Sequence, residues 1–261
     1  MRLGARLAVA VILATGSSGG FAVGAAAGAG SSSVPSTATY EAGPSAAMIP
    51  GDLGWYSSNW AGYALAGGRH TSVSAQWTVP AVSATARPGY SALWVGIDGF
   101  TNDALIQAGT EADFYDGVVH YSAWWEILPA PAVTIHSLSV RAGDKVSVTI
   151  ARVSAGRWRI TIKDARSGSY TSTRAYSGPA TSAEWIEEAP IVEGRATRLA
   201  VHGTVMFDDA TLDGRNPRLA SENGGAMIRR GILVDTPSAP DADANGFALA
   251  QQPVPPAPPG T

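Results

Sequence analysis

The sequence predicts an all-β protein, an antiparallel β-sandwich or barrel, from three observations. Apolar and polar residues alternate in several short runs, which is the period of a half-buried strand. The chain contains 30 Gly and 17 Pro, which interrupt it too often for long helices, and no clear amphipathic helical periodicity follows the first residues. Short strands separated by turn signals are typical of antiparallel sandwiches and barrels.

Individual strands can be placed from this alternation. Residues 73–79 alternate apolar with polar side chains, and Pro80 ends the run. Residues 145–153 and 157–165 alternate in the same way, and the short segment 154–156 between them predicts a hairpin turn.

Composition excludes several classes of protein. Hydrophobic residues make up 45% and charged residues 15% of the 261, so a large core is available and general disorder is excluded. The net charge of -3 is too small to indicate a nucleic-acid partner or an anionic membrane surface. The absence of Cys excludes disulfides, thiol enzymes and thiolate metal sites.

The first residues resemble an export signal. Arg2 and Arg6 flank the short apolar stretch 7–15, and small residues follow up to about residue 27. We therefore expect residues 1–27 to be a signal peptide and the protein to be secreted, with no membrane attachment after signal removal. A transmembrane anchor is the alternative, but the apolar stretch is shorter than the ~20 residues that a span needs.

The rest of the chain divides by composition. Residues 28–52 are rich in Ala, Ser, Gly and Pro without periodicity, which is typical of a linker or short pro-segment. The alternating runs lie within residues 53–250, which we expect to form the β-sandwich domain. Residues 251–261 are rich in Pro and predict an extended, disordered tail.

Most familiar catalytic motifs are absent. The sequence has no G-x-S-x-G, H-E-x-x-H or P-loop pattern, and no local signature supports a Ser-His-Asp triad. The segment DADANG at residues 241–246 matches the start of a calcium-binding EF-hand loop. Its twelfth position is Gln252 instead of Glu, however, so we favour a polar turn before a last strand at 247–250.

Several segments place an amide or a carboxyl among aromatic and apolar residues. Gln107 lies in the otherwise apolar run 104–109, and a buried amide is costly unless its hydrogen bonds are met. Glu126 follows two Trp residues, and a further acidic cluster surrounds Trp185, namely Glu184, Glu187 and Glu188. Apolar neighbours raise carboxyl pKa values, which suits acid–base catalysis, although solvated carboxylates at strand edges would give the same pattern.

An ordered series of motifs resembles the eqolisins, or glutamic peptidases. The motifs are SSNWAG (57–62), QWTVP (76–80), LWVGIDG (93–99), IQAG (106–109), AWWEILP (123–129) and AEWIEE (183–188). The resemblance implies a lectin- or glucanase-type sandwich of two antiparallel sheets and a secreted, pepstatin-insensitive acid endopeptidase. It implies protein or peptide substrates and no metal or cofactor, and we expect a monomer.

The resemblance also implies roles for individual residues. Gln107 and Glu188 stand at the positions of the catalytic Gln and Glu, and four residues match the substrate-binding cleft, namely Trp94, Glu111, Trp124 and Glu126. The chain departs from the family at Ser122, where an Asp is usual. The disulfides and the long basic pro-segment of fungal relatives are also missing, which leaves the pH optimum and the activation route open.

The resemblance implies hydrolysis in which Glu188 is the general base for water and Gln107 stabilises the oxyanion. Two alternatives remain. A glycosidase needs two carboxyls about 5–9 Å apart, which Glu126 and Glu188 could supply from different strands. A non-catalytic sandwich could use its Trp residues to bind a carbohydrate or a protein.

Overall fold

The computed structural model describes residues 52–192 and 195–260, so the expected signal peptide and nearly all of the expected linker lie outside the described residues. The described strands are β1 (Trp55–Ser57), β2 (Trp60–Ala66), β3 (Ser72–Thr78), β4 (Ala92–Ile97), β5 (Ile106–Tyr115), β6 (Val118–Ile127), β7 (Val133–Thr134), β8 (Lys145–Ser154), β9 (Arg157–Asp164), β10 (Gly168–Ala175), β11 (Ser182–Glu188), β12 (Ile191–Val192), β13 (Arg195–Ala196), β14 (Val205–Leu212), β15 (Gly224–Arg229), β16 (Ile232–Pro237) and β17 (Phe247–Ala250). A 3-10 turn spans Ser221–Asn223.

Strands β12 and β13 pair only with each other, and the other described strands form two large sheets that share one strand. The first, called the site sheet below, has the order β16-β15-β2-β11-β4-β5-β6-β7, and β1 pairs with β15 in parallel. The second, called the back sheet, has the order β10-β9-β8-β3-β14-β17-β16. Strand β16 belongs to both sheets, because Asp235 pairs with β15 while Thr236 pairs with β17. Apart from β1 with β15, the named strand pairs of the described chain are antiparallel.

Aromatic side chains fill the space between the sheets. The ring of Tyr63 in the site sheet lies 4.5 Å from that of Phe247 in the back sheet, and the Phe247 ring stacks on Phe207 at 5.0 Å. Trp185 in β11 donates its indole N–H to the Ser74 carbonyl in β3 at 2.8 Å. Burying each such ring stabilises the fold by about 1.5–3 kcal/mol. The predicted antiparallel sandwich of two sheets is confirmed.

Local predictions from the alternation are confirmed as well. The run beginning at Val73 is β3, the hairpin of β8 and β9 turns at Ala155 and Gly156, and the last strand, β17, has the predicted bounds. The DADANG segment is a polar turn, in which the backbone N–H of Asn245 donates to the Asp241 carboxylate at 3.0 Å.

The beginning of the Pro-rich tail is attached to the sandwich. Gln251 donates its side-chain amide to the Ala200 carbonyl at 2.5 Å, and the Gln252 carbonyl accepts from the Thr236 hydroxyl at 3.0 Å. The remaining described tail residues have no regular secondary structure. Across residues 52–192 and 195–260, no helix has the length and apolar character needed to cross a membrane.

Candidate active site

The predicted site residues share one face of the site sheet. In adjacent strands Trp94 pairs with Gly109, which pairs with Trp124, and Gln107 pairs directly with Glu126. Glu188 pairs with Ala92, which pairs with Glu111. Because side chains alternate along a strand, all six predicted residues point away from the core between the sheets. Sequence spacing alone could not align β11 with β4, since 85 residues separate Ile97 from Ser182 at the ends where they meet.

Gly109 occupies the middle of this face, between the two tryptophans. A Cβ atom at this position would lie 1.9 Å from the carbonyl oxygen of Leu93 in β4, so no larger residue fits without moving the strand. Glycine here allows β5 to pair closely with β4 between Trp94 and Trp124, which are both buried.

Gln107 and Glu126 form a buried pair. The amide nitrogen of Gln107 lies 2.7 Å from a carboxyl oxygen of Glu126, while the amide oxygen has no hydrogen-bond partner among the described residues. Burial raises the pKa of Glu126 to about 8, with a further contribution from the charge of Glu188, and the Gln107 hydrogen bond opposes this rise. Glu126 is therefore a neutral carboxylic acid below neutral pH.

Glu188 is fully buried and is held by uncharged donors. Its two carboxyl oxygens accept from the Asn59 amide at 3.1 Å and from the Trp94 indole N–H at 3.0 Å. Burial raises the pKa of Glu188 to about 7 in spite of these donors. A carboxyl so placed is a stronger base than an exposed Glu once it is ionised.

Asn59 belongs to the SSNWAG motif, and the structure places its side chain against Glu188. The hydroxyl of Ser57 donates to the Asn59 side-chain oxygen at 3.0 Å, which turns the amide nitrogen toward Glu188. The backbone of Asn59 is fixed as well, because its carbonyl accepts from the Ala189 N–H at 2.9 Å. Only the order of the motifs could have indicated this contact, since 129 residues separate Asn59 from Glu188.

Glu111 faces the residue by which this chain departs from the family pattern. The Ser122 hydroxyl donates to the Glu111 carboxylate at 2.9 Å across the β5–β6 pair. Burial raises the pKa of Glu111 to about 7, and the Ser122 hydrogen bond lowers it. A hydroxyl thus takes the place of a second carboxyl at this end of the cleft.

Asp98 in the LWVGIDG motif organises the Gln107 end of the cleft and was not singled out from the sequence. Its backbone has a left-handed conformation with φ of 66°. Its buried carboxylate accepts from the backbone N–H groups of Ala180 and Thr181, both at 2.8 Å, and from the Tyr176 hydroxyl at 2.5 Å. Asp98 therefore holds the loop before β11 against the end of β4.

Of the three glutamates in AEWIEE, Glu187 points to the opposite face. It accepts hydrogen bonds from Ser91 at 2.9 Å and from His202 at 2.5 Å, and it lies beside Asp235. Burial raises the Glu187 pKa, but the His202 charge and hydrogen bond outweigh this and leave it below the ordinary value. The pKa of Asp235 is raised well above its ordinary value by burial and then by the charge of Glu187. Glu187 is thus an ionised structural residue between protonated neighbours.

Glu184 shares the face of Glu188 but lies four residues along β11, near Asp98. Burial raises its pKa well above the ordinary value, so it is a neutral acid in the fold. In the described ranges, no group of three or more His, Asp or Glu side chains is arranged to hold a metal ion.

These features agree with what related proteins show. A model of the Peptidase A4 family matches residues 58–230, most of the chain, and the chain belongs to this family of peptidases. Aspergillopepsin-2 of Aspergillus niger is 32% identical over 181 residues, which are 59% of this chain and 64% of the relative, so the chain spans less than two thirds of that protein's length. The predicted resemblance is confirmed at the level of the family.

Solved structures of the same family share the fold. Scytalido-glutamic peptidase, crystallised with a transition state analog inhibitor, superposes with a TM-score of 0.64 at 23% identity, covering 75% of this chain and 98% of that one. SCP-B, described as a member of the Eqolisin family of peptidases and solved with a tripeptide, gives a TM-score of 0.57 at 22% identity over the same shares. At these identities the likeness shows the β-sandwich fold alone.

Proposed function

We propose that the chain is a secreted glutamic endopeptidase in which Glu188 is the general base and Gln107 stabilises the oxyanion. The observation that carries this proposal is the setting of Glu188, a buried carboxyl held by two neutral N–H donors on the sheet face that also bears Gln107. Family membership favours peptide hydrolysis over the glycosidase and the binding module. Secretion rests on the signal-like pattern of residues 1–27.

In the proposed reaction, ionised Glu188 takes a proton from a water molecule as its oxygen bonds to the carbon of the scissile carbonyl. The carbonyl electron pair moves to its oxygen and forms an oxyanion. Glu188 then returns the proton to the amide nitrogen, the C–N bond breaks, and the carbonyl reforms as a carboxylic acid. Both products leave and the enzyme is unchanged.

Protonated Glu126 lets Gln107 serve the oxyanion. Below neutral pH the Glu126 carboxyl carries an O–H that can donate to the Gln107 amide oxygen, because burial holds its pKa at about 8. In the structure the Gln107 amide nitrogen donates to Glu126, so this step requires the amide to rotate, which brings its oxygen to the Glu126 O–H and its nitrogen toward the oxyanion. A neutral amide offers this donor at any pH, and removing one oxyanion donor typically costs ~10²–10³ in turnover.

The same groups define the working pH. Activity should rise as Glu188 ionises. The acid limb of the pH–rate profile should therefore lie at a higher pH than the ordinary Glu pKa of 4.5. Above neutral pH Glu126 and Glu111 ionise as well and place further negative charge beside the base. The activity should therefore peak near neutral pH, between the pKa of Glu188 at about 7 and that of Glu126 at about 8, and decline on both sides.

The test is digestion of a denatured protein from acid to weakly alkaline pH, with pepstatin present, by the purified chain and three variants. Glu188→Gln should lower kcat/KM by ~10²–10⁴ and Gln107→Ala by ~10²–10³. Glu184→Gln is the matched comparison, because Glu184 is a buried carboxyl on the same strand and face and pairs with Gly96, which pairs with Gln107. This variant should retain activity, and a loss of activity in Glu184→Gln with normal activity in Glu188→Gln would move the base to Glu184. Normal proteolysis by Glu188→Gln would refute the assignment of the base.

Two further results would favour the alternatives. Release of reducing sugar from a glucan without cleavage of protein would indicate a glycosidase. Absence of cleavage at every pH, with ligand binding unaffected by Glu188→Gln, would indicate a binding module.

A further inference from the structure

Arg229 ends strand β15 and reaches across to the turn that carries Asn59. Its Nε–H donates to the carbonyl of Ser58 at 2.5 Å, and its Nη1 donates to the carbonyl of Thr197. Its Nη2 is buried without an acceptor in the described part of the chain. The half-buried guanidinium therefore joins two segments that approach Glu188 from outside the site sheet.

The Ser58 contact acts on Glu188 through one intermediate residue. Ser58 directly precedes Asn59, whose amide donates to Glu188 at 3.1 Å. On the other side of this turn, Ser57 pairs with Met227 of β15, two residues before Arg229. Strand β15 thus holds the turn both by sheet pairing and by the arginine.

The positive charge of Arg229 also affects the ionisation of Glu188. The titratable side chains on the face of Glu188 in the neighbouring described elements include Glu126 from β6, Glu111 and Asp113 from β5 and Arg229 from β15. The two glutamates add negative charge when ionised and oppose the ionised form of Glu188, whereas the guanidinium favours it. Arg229 lowers the pKa of Glu188 against the larger effect of burial.

We propose that Arg229 is a positioning residue for Glu188, which holds the Asn59 turn in place and supplies a positive charge that favours the ionised form of Glu188. The inference rests on the proposed role of Glu188 as the general base. It extends the site to a strand outside the motifs, since residue 229 lies beyond the last of them, AEWIEE.

The experiment compares Arg229→Gln with Arg230→Gln, the adjacent exposed arginine, in the purified chain. The first readout is the pH profile of kcat/KM on a peptide substrate. Arg229→Gln should move the acid limb upward by about half a pH unit or more, which lowers kcat/KM about threefold at pH values below the limb. Arg230→Gln should leave the limb where it is in the parent.

The second readout does not depend on activity. The Glu188 carboxyl is titrated by ¹³C NMR, with its resonance assigned from the signal lost in Glu188→Gln. The midpoint should rise in Arg229→Gln and not in Arg230→Gln. If Arg229→Gln does not fold, Arg229→Lys replaces it, and its retained charge should keep the midpoint at the parent value.

An unmoved midpoint in Arg229→Gln, or a raised midpoint in Arg229→Lys, would overturn the proposal. An activity loss of equal size at every pH, with an unmoved limb, would also overturn it, because that is what a merely structural arginine would show. A parent chain without peptidase activity would instead refute the proposed function, while the NMR titration would still report the coupling.

Discussion

Replacing Asp235 by Asn should make the fold less sensitive to rising pH. Asp235 lies in β16 and is fully buried beside Glu187, and its pKa is raised well above the ordinary value by burial and by the Glu187 charge. Its carboxyl is therefore protonated in the fold and can share that proton with Glu187. The amide of Asp235→Asn can donate to Glu187 in the same way but cannot lose its proton.

The size of the effect follows from linkage. An unfolded Asp titrates near 3.9. The contribution of Asp235 to the free energy of unfolding is therefore fully present below that pH, and it is lost as pH rises toward the raised pKa of the folded state. In that window the unfolded chain releases a proton that the native state keeps, and stability falls by up to about 1.4 kcal/mol per pH unit for this one group. Asp235→Asn should remove this part of the slope of the unfolding free energy against pH, and it should leave the part that comes from His202 unchanged.

The assay is urea unfolding followed by Trp fluorescence at several pH values from 4 to 8. Asp103→Asn, at an exposed position, is the control and should parallel the parent. At pH 4 the parent and Asp235→Asn should be similar, and the variant should become the more stable as pH rises. Identical slopes in the parent and Asp235→Asn would refute the protonated state assigned to this carboxyl.

Two further changes test the cleft face. Gly109→Ala should destabilise the fold by about 1–3 kcal/mol, because its Cβ would meet the Leu93 carbonyl. Thermal unfolding measures this loss against the control Gly203→Ala, where a Cβ would have no atom within 4 Å. An unchanged melting temperature in Gly109→Ala would contradict the tight contact. Ser122→Asp places a second carboxyl against Glu111, and the two should share a proton in acid but repel each other when ionised. Its unfolding midpoint should match the parent at pH 4 and fall below it at pH 7, and an equal loss at both would contradict the raised Glu111 pKa.

Much of the fold could be predicted from local pattern. The alternation in β3, β8 and β9 reports which face of each strand is buried, and a period of two depends only on neighbouring residues. Gln107 could be found in the same way, because an amide within an apolar run requires a specific partner.

Other features depend on register between distant strands, which no local pattern contains. The residues AEWIEE are all buried, so burial does not distinguish Glu187 from Glu188. The two residues are distinguished by their partners once β11 is placed between β2 and β4. In that position Glu188 points toward the Asn59 amide and Glu187 points toward His202. The contact of Arg229 with Ser58 spans 171 residues and has no signature in the sequence.

The position of β11 in the site sheet also has a consequence for biosynthesis. This strand is the eleventh among the described residues but lies between the second and the fourth, so β2 and β4 are both made long before the strand that joins them. A nascent chain that has not yet emerged past residue 188 contains Gln107, Glu126, Trp94 and Trp124 but lacks the proposed base and the strand that aligns them. Such a chain has no assembled site, and the proposed catalytic face forms only after β11 has been synthesised.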